Sequence, residues 1–196
     1  MGVIIPRWEW RTFGTADFGE AETKIRKSGE ARVRKSDEVY ILSHKSMDNT
    51  KVRDDLMDIK TLQNTNDDTL EQWMPVLKAA FPLEEETLQQ IFRSFNVSLP
   101  KLERTSYSFD QYINELVKPC EDLVAVDVKK ERLGYMINGT IVEIAEVNFN
   151  GKPYRTIAVE HEDPKLVYDT VCELGLNDHE NINYLRAMKK SVGMED

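Results

Sequence analysis

The chain has 196 residues, which is long enough for one hydrophobic core, and no Gly/Ser-rich or Pro-rich linker divides it, so we expect a single domain over residues 1–196. Its 26 Lys and Arg against 35 Asp and Glu give a formal net charge of −9, which disfavours binding to a nucleic-acid duplex or an anionic membrane. Two cysteines without CxxC spacing, and no apolar run near the roughly 20 residues that cross a bilayer, predict a soluble cytoplasmic protein.

The first third of the chain predicts strands and one short helix. "IIPRWEWRTF" alternates in the manner of a strand, and "DFGEAETKIRKSG" predicts a helix with Asp17 as N-cap and Gly29 as its end. "EARVRKSDEVYILS" predicts a hairpin that turns at Ser36-Asp37, and "KVRDDLMDIK" a second hairpin that turns at Asp54-Asp55.

The middle of the chain predicts two amphipathic helices after an apolar strand or irregular piece around Trp73. The first helix spans Glu84 to Phe95, and the second is capped by Ser108 and ends before Pro119. Their apolar stripes are Leu88, Ile91, Phe92 and Phe95 in the first, and Phe109, Tyr112, Ile113 and Leu116 in the second. Both helices need an apolar surface to cover.

The last third returns to strands and ends in two helices. "EDLVAVDVKKERLGYMI", "GTIVEIAEVNFNG" and "PYRTIAVEHED" predict three strands, with turns at Asn138-Gly139 and Asn150-Gly151. Asp163 and Pro164 begin a helix that Gly175 ends, and "NINYLRAMKKSVG" forms the last helix. About eight strands in hairpins, with helices between and after them, indicate an α+β or barrel architecture with a polar lumen.

Charged residues follow one face of several predicted strands. In "KVRDDLMDIK" the parity sets Lys51, Arg53, Asp58 and Lys60 on one face and Val52, Met57 and Ile59 on the other. The same parity pairs Glu9 with Arg11, Arg32 with Arg34 and Lys130 with Arg132, and separates Glu143 and Glu160 from apolar neighbours. A solvated sheet face explains any one strand, and we assign Glu146 to such a surface, but agreement among five strands favours an enclosed site.

One strand departs from this simple parity. Val126 and Val128 share the register of Lys130 and Arg132, so we expect a bulge there, or valines at a plugged end of the barrel.

Basic and acidic side chains on facing strands are typical of a site for a metal-bound polyphosphate. Arginine and lysine neutralise the charges of a triphosphate, and arginine adds bidentate geometry. Carboxylates hold Mg²⁺ or Mn²⁺, which would polarise the terminal phosphorus for attack by an in-line water. His161 and Asp163 are a weaker metal pair, because Asp163 is better explained as an N-cap.

The series "EWR", "KVRDDLMDIK", "KKER", "TIVEIAEV", "RTIAVEHEDP" and "NINYLRAMK" resembles, in order and over nearly the whole chain, the CYTH domain of the triphosphate tunnel metalloenzyme family. The resemblance implies an eight-stranded antiparallel β-barrel, covered by amphipathic helices, that acts on a triphosphate-containing small molecule. Members include inorganic, thiamine and RNA triphosphatases and class IV adenylyl cyclases.

The resemblance also implies roles for individual residues. The substrate contacts are Arg11, Lys51, Arg53, Lys60, Lys130 and Arg132, to which the strand parity adds Arg32 and Arg34. The metal ligands for Mg²⁺ or Mn²⁺ are Glu9 and Glu160, with Glu143 as a third. We assign the chemistry itself to Glu9, Lys60 and Glu160.

Three departures from the family pattern reduce the expected metal capacity. Arg7 stands where the first strand usually has a glutamate, and Ala158 and Ala145 stand where later carboxylates are expected. We therefore expect a metal-dependent triphosphatase, with a non-catalytic polyphosphate- or nucleotide-binding protein and a class IV-type adenylate cyclase as alternatives. The sequence leaves open which triphosphate is bound, the metal preference, the biological role and the oligomeric state, although a homodimer is common among similar proteins.

Overall fold

The structure is a computed structural model that describes residues 5–194. Its strands are β1 Arg7–Gly14, β2 Arg32–Ser43, β3 Ser46–Arg53, β4 Leu56–Thr65, β5 Glu71–Ala80, β6 Leu83–Glu84, β7 Ser106–Tyr107, β8 Leu123–Ile137, β9 Thr140–Phe149 and β10 Lys152–His161. Its helices are α1 Glu20–Lys27, α2 Glu85–Ser94, α3 Phe109–Gln111 with a π-helical continuation Tyr112–Val117, α4 Pro164–Leu174 and α5 Tyr184–Val192.

Eight of these strands close a barrel. They hydrogen-bond in the cyclic order β1-β10-β9-β8-β2-β3-β4-β5, and β6 and β7 form a separate two-stranded sheet. The expected α+β fold with an eight-stranded antiparallel barrel is therefore confirmed.

The chain divides into two compact units, which we describe separately. The first unit comprises residues 5–37, 62–74 and 128–194, and the second comprises residues 38–61 and 75–127. The single domain expected over residues 1–196 stays a prediction.

In the first unit, one face of β1, β8, β9 and β10 packs against α1 and α4. Side chains point to alternate faces of a strand, so every second residue reaches this core. The buried members include Trp10, Val142, Ile144, Ile157 and Val159 from the strands, and Ile25, Val167, Val171 and Leu174 from the helices. Fully burying one such aliphatic side chain contributes about 1.5 to 3 kcal/mol, so this contact fixes which face of each strand is left for polar residues.

In the second unit, β2, β3 and β4 pack against α2 and the α3 segment. Val52, Met57 and Ile59 are buried there together with the apolar stripes predicted for the two helices. The hairpin turns at Asp54-Asp55, with φ of 53° and 55°, as predicted. Two consecutive positive φ values are what a two-residue hairpin turn requires.

Two local predictions at the start of the chain are wrong. No hairpin turns at Ser36-Asp37: β2 runs unbroken to Ser43, because the following residues are β-branched, aromatic and buried, and the chain turns only at His44-Lys45. Asp17 is not the N-cap of α1. Its carboxylate instead accepts from the backbone N–H of Gly19, at 2.9 Å, and Gly19 takes the cap position with φ 55°.

Helix α1 also ends one residue earlier than expected. It stops at Lys27 with Ser28 as the C-cap, so Gly29 is not its end.

The other predicted caps are confirmed. Ser108 and Gln111 form a capping box, Asp163 accepts from the backbone N–H of Lys165 at 2.9 Å, and Gly175 ends α4 with φ 74°. Within residues 5–194, no helix combines the length and apolar character needed to cross a membrane.

Candidate anion-binding site

The polar face of the first unit lies on the strand face opposite α1 and α4. The registers β1–β10 and β1–β5 place Glu9 directly opposite both Glu160 and Glu71. The registers β9–β10 and β8–β9 place Glu143 opposite Ala158 and Gly134, two small residues. Parity therefore brings Glu9, Arg11, Glu143, Glu160, Lys130 and Arg132 to one face, as predicted.

Arg11 is a buried cation of this face, with 6% of the residue exposed. Its Nε donates to Glu9 at 2.9 Å, and its Nη1 donates to Glu143 at 3.4 Å and to the hydroxyl of Thr156 at 3.2 Å. The guanidinium carbon lies 4.4 Å from the centre of the Tyr184 ring. Burial lowers the pKa of Arg11, but the charges of Glu9 and Glu143 outweigh it and hold that pKa well above its usual value. Arg11 is therefore a permanent positive charge.

Arg132 carries hydrogen-bond donors that the described part of the chain leaves unused. Its side chain is 18% exposed, and its Nη1 lies 3.8 Å from a carboxylate oxygen of Glu143. Its Nε and Nη2 are buried and have no hydrogen-bond partner within residues 5–194. A buried unsatisfied donor costs about 1 to 3 kcal/mol, and more when it is charged, so two on one guanidinium indicate a missing acceptor. Phosphate and carboxylate oxygens are the acceptors that a guanidinium binds through two parallel bonds.

Lys130 is the third cation of this face. Only 5% of the residue is exposed, and its ammonium lies 4.0 Å from the centre of the Tyr184 ring. The register between β8 and β9 runs without interruption past Lys130 and Arg132. The pairing of β8 with β9 therefore shows no bulge between Val128 and Arg132, and Val126 and Val128 are buried earlier along the strand. The alternative, valines at a plugged end of the barrel, stays a prediction.

Arginines bind all three carboxylates that were predicted to hold a metal. Arg7 donates to Glu160 at 2.8 Å, and Arg11 binds Glu9 and Glu143. The hydrogen bond that Arg7 donates to Glu160 raises the pKa of Arg7 above its usual value. Within residues 5–194 no group of three or more His, Cys, Asp or Glu is arranged to hold a metal ion. The residues as placed do not fit a protein-held Mg²⁺ or Mn²⁺, and the metal roles stay predictions.

Glu71 and Asn183 belong to this face and were missed by the sequence reasoning. The side-chain amide of Asn183 donates to both carboxylate oxygens of Glu71, at 3.0 Å each, while Asn183 also caps α5. Burial raises the pKa of Glu71, and the nearby charge of Glu9 raises it further. The available signal was the strand parity of "LEQW", which places Glu71 on the face opposite Leu70 and Gln72.

The second unit carries its own charged cluster. Glu38 is fully closed to solvent at its side chain, and its carboxylate lies 3.6 Å from Nζ of Lys51 and 3.4 Å from Nη1 of Arg53. Burial lowers the pKa of Lys51, and the charge of Glu38 opposes that shift. The β3–β4 register places Lys51 opposite Asp58, which confirms the predicted sharing of a face. Sequence reasoning missed Glu38, because it assigned a turn immediately before it.

The other residues predicted to contact substrate differ in their exposure. Lys60 is half-buried on β4, opposite Asn49, whereas Arg32 and Arg34 are exposed on the first half of β2. Their substrate roles stay predictions. Glu146 is 71% exposed at its side chain and accepts from Arg155, so its assignment to the surface is confirmed.

Two comparisons with known proteins find no match, and a third finds structural neighbours. The sequence matches no family model and no curated protein. A candidate adenylyl cyclase from Hippeastrum, described as having a dominant triphosphatase activity, is 10% identical with a TM-score of 0.54, over 94% of this chain and 96% of that one. A candidate adenylate cyclase from Bacillus halodurans is 11% identical with a TM-score of 0.54, over 94% and 98%. At this identity the likeness shows the fold, which is the fold that the CYTH resemblance implied.

Proposed function

We propose that the protein binds a triphosphate-containing small molecule on the polar face of β1, β8, β9 and β10 and hydrolyses a phosphoanhydride bond of it. The single observation that carries this proposal is the pair of buried, unused donors on Arg132. A terminal phosphate offers two oxygens with the spacing that such a donor pair binds. The triphosphatase activity described for the Hippeastrum neighbour is consistent with this choice of ligand.

The charge on this face supports a polyanion in particular. Arg11 on β1 and Lys130 and Arg132 on β8 supply three positive charges on one strand face, two of them on side chains that are more than nine-tenths buried. Charges interact more strongly where water is excluded, so a compact cluster of this kind favours a ligand with several negative charges close together. Inorganic tripolyphosphate and small organic triphosphates meet that description.

The roles proposed for this chain's own residues are to bind and to neutralise charge. Guanidinium and ammonium groups fixed in place would stabilise the charge that spreads over the phosphoryl oxygens as the anhydride bond breaks. The catalytic roles of Glu9, Lys60 and Glu160 and the use of Mg²⁺ or Mn²⁺ remain proposals that rest on the sequence resemblance. Arginines hold the carboxylates, so no step of the proposed hydrolysis runs through a protein-held metal. A cytoplasmic location and a homodimer are also proposals from the sequence.

The test of hydrolysis is phosphate release from tripolyphosphate, ATP and thiamine triphosphate, with and without Mg²⁺ or Mn²⁺. We would compare the wild type with Glu160→Gln and Arg132→Ala, and use Lys129→Ala as the control. Lys129 is exposed on β8 and points to the face opposite Lys130. We expect activity in the wild type and in Lys129→Ala and its loss in the other two. Absence of release from every substrate by the wild type would contradict hydrolysis.

A second candidate function is triphosphate binding without turnover. Arg7 supports it, because this arginine binds Glu160 from a position where the resembling family has a carboxylate. In that case the wild type would bind tripolyphosphate, Arg132→Ala would abolish the binding, and no phosphate would be released under any metal condition. The same assay and a binding titration therefore separate the two candidates.

A further inference from the structure

The first strand of the barrel carries arginine on both sides of Glu9. Arg7 and Arg11 lie on the same face of β1 as Glu9, since the three residues are two apart. Arg7 reaches across to Glu160 on β10, with 2.8 Å between Nη1 and Oε1. Arg11 turns back to Glu9 and also reaches Glu143. Each carboxylate of this group therefore has a guanidinium within 3.4 Å.

This arrangement resolves a repulsion that the strand register creates. Glu9 and Glu160 are direct cross-strand partners, and like charges in that position destabilise a sheet. A divalent cation between such carboxylates would supply two positive charges. Arg7 and Arg11 supply the same two charges, and an arginine in a protein does not lose its proton near neutral pH.

The arginines compete with a hard divalent cation for the same carboxylate oxygens. Mg²⁺ and Mn²⁺ bind through carboxylate oxygens and water in nearly octahedral geometry. A guanidinium lies on at least one oxygen of each carboxylate, and its positive charge opposes the binding of a second cation nearby. Metal binding at these residues would therefore compete with the arginine pairs.

We propose that Arg7 and Arg11 take the place of a protein-held divalent metal, so that this face binds a triphosphate without one. The inference rests on the proposed triphosphate binding and specifies how the face is neutralised. Phosphate oxygens would then contact Arg132 and its neighbouring cations directly, rather than through a metal that the protein holds.

The first test measures the metal alone, by electron paramagnetic resonance titration of Mn²⁺ into the ligand-free protein. We expect the wild type to hold no stoichiometric Mn²⁺, and Arg7→Glu to bind it at least about tenfold more tightly, because that change frees Glu160 and adds a carboxylate beside it. Arg7→Gln removes the same charge without adding an oxygen anion, and Lys129→Glu adds a carboxylate on the opposite strand face. Neither control variant should bind stoichiometric Mn²⁺. Arg7 is 48% exposed at its side chain, so these variants are expected to fold, which thermal unfolding would check.

The second test measures tripolyphosphate binding by calorimetry in the presence of a chelator. We expect the wild type to bind without divalent metal, and Arg132→Ala to lose the binding. Stoichiometric Mn²⁺ binding by the wild type that Glu9→Gln abolishes, or tripolyphosphate binding only when a divalent metal is present, would overturn the proposal. Absence of tripolyphosphate binding under both conditions would instead overturn the proposed function, and the Mn²⁺ titration would still decide the role of the arginines.

Discussion

The two units of this protein neutralise buried charge in different ways. In the first unit three carboxylates keep contact with water, with 21%, 21% and 29% of the side chains of Glu9, Glu143 and Glu160 exposed, and each is held by an arginine. In the second unit a single carboxylate, Glu38, has no exposed surface and lies between a lysine and an arginine.

The difference indicates which ion pairs can exchange with a ligand. An ion pair that keeps contact with water is worth little, so breaking it for a phosphate costs little. Removing one partner of a fully buried pair leaves an uncompensated charge, which costs several kcal/mol. We therefore assign Glu38 to fixing Lys51 and Arg53 in place, and the acids of the first unit to pairs that a ligand can open.

The largest expected effect is on stability, at Glu38. Glu38→Gln should lower the free energy of unfolding by about 3 kcal/mol, because Lys51 and Arg53 lose a buried counter-charge. Glu143→Gln is the matched variant in the first unit and should cost about 1 kcal/mol or less. Urea unfolding of both variants measures these losses in the free energy of unfolding. Equal losses would contradict the difference that we infer between the two units.

A smaller expected effect is the pH dependence of stability that Lys51 gives the second unit. Burial lowers the pKa of Lys51 in the folded protein, so the unfolded chain holds this proton to higher pH. Stability should therefore rise with pH between the lowered pKa and the ordinary lysine value of about 10.4. Lys51→Arg removes this titration. The wild type should gain stability relative to Lys51→Arg as pH rises toward the ordinary lysine pKa of about 10.4, and parallel curves would contradict the buried assignment.

Glu71 should show the opposite sign in the first unit. Its raised pKa means that the folded protein keeps this proton to higher pH than the unfolded chain, so stability falls as pH rises through that interval. Glu71→Gln keeps an acceptor for Asn183 and removes the charge. We expect it to raise the unfolding temperature at pH 7 by at most about 2 to 4 °C, which corresponds to about 1 kcal/mol in a chain of this size. At about pH 4 the gain should vanish, and a gain that is the same at both pH values would contradict this explanation.

The smallest expected effect is at the most exposed pair. A double-mutant cycle with Arg7→Ala and Glu160→Gln should give a coupling energy of about 0.2 to 1 kcal/mol, because Arg7 is about half exposed. Added salt should reduce it further. A coupling energy above about 2 kcal/mol would mean that this pair behaves like the buried ion pairs of Glu38, and not like an exposed pair that a ligand can break.

Much of the fold could be predicted from short-range signals. Ser108, Asp163 and Gly175 mark helix ends through bonds to nearby backbone groups, and period-two alternation sorted the residues of β3, β4, β9 and β10 onto the correct faces. The turn predicted at Ser36-Asp37 was wrong. Residue types that favour turns can also lie within a strand when the residues that follow are strongly apolar. The helical stripe from Phe109 to Leu116 was correct, although the segment winds partly as a π-helix.

The candidate site was less predictable because its partners are distant in sequence. Nothing local links Glu38 to Lys51, or Glu71 to Asn183, since register and packing decide those contacts. The residues with period-two signals, such as Arg11 and Arg132, could be placed on the correct face. Their ion pairs, and the two donors that Arg132 leaves unused, needed the three-dimensional arrangement of four strands.

The measurement that tests the central claim most directly is a calorimetric titration of tripolyphosphate into the wild type, Arg132→Ala and Lys129→Ala. Two charge-assisted hydrogen bonds of about 1.5 kcal/mol each correspond to an affinity loss on the order of 100-fold in Arg132→Ala. Lys129→Ala, on the other face of the same strand, should bind like the wild type. Equal affinity of all three proteins, or no binding by the wild type, would contradict the assignment of this face to a triphosphate.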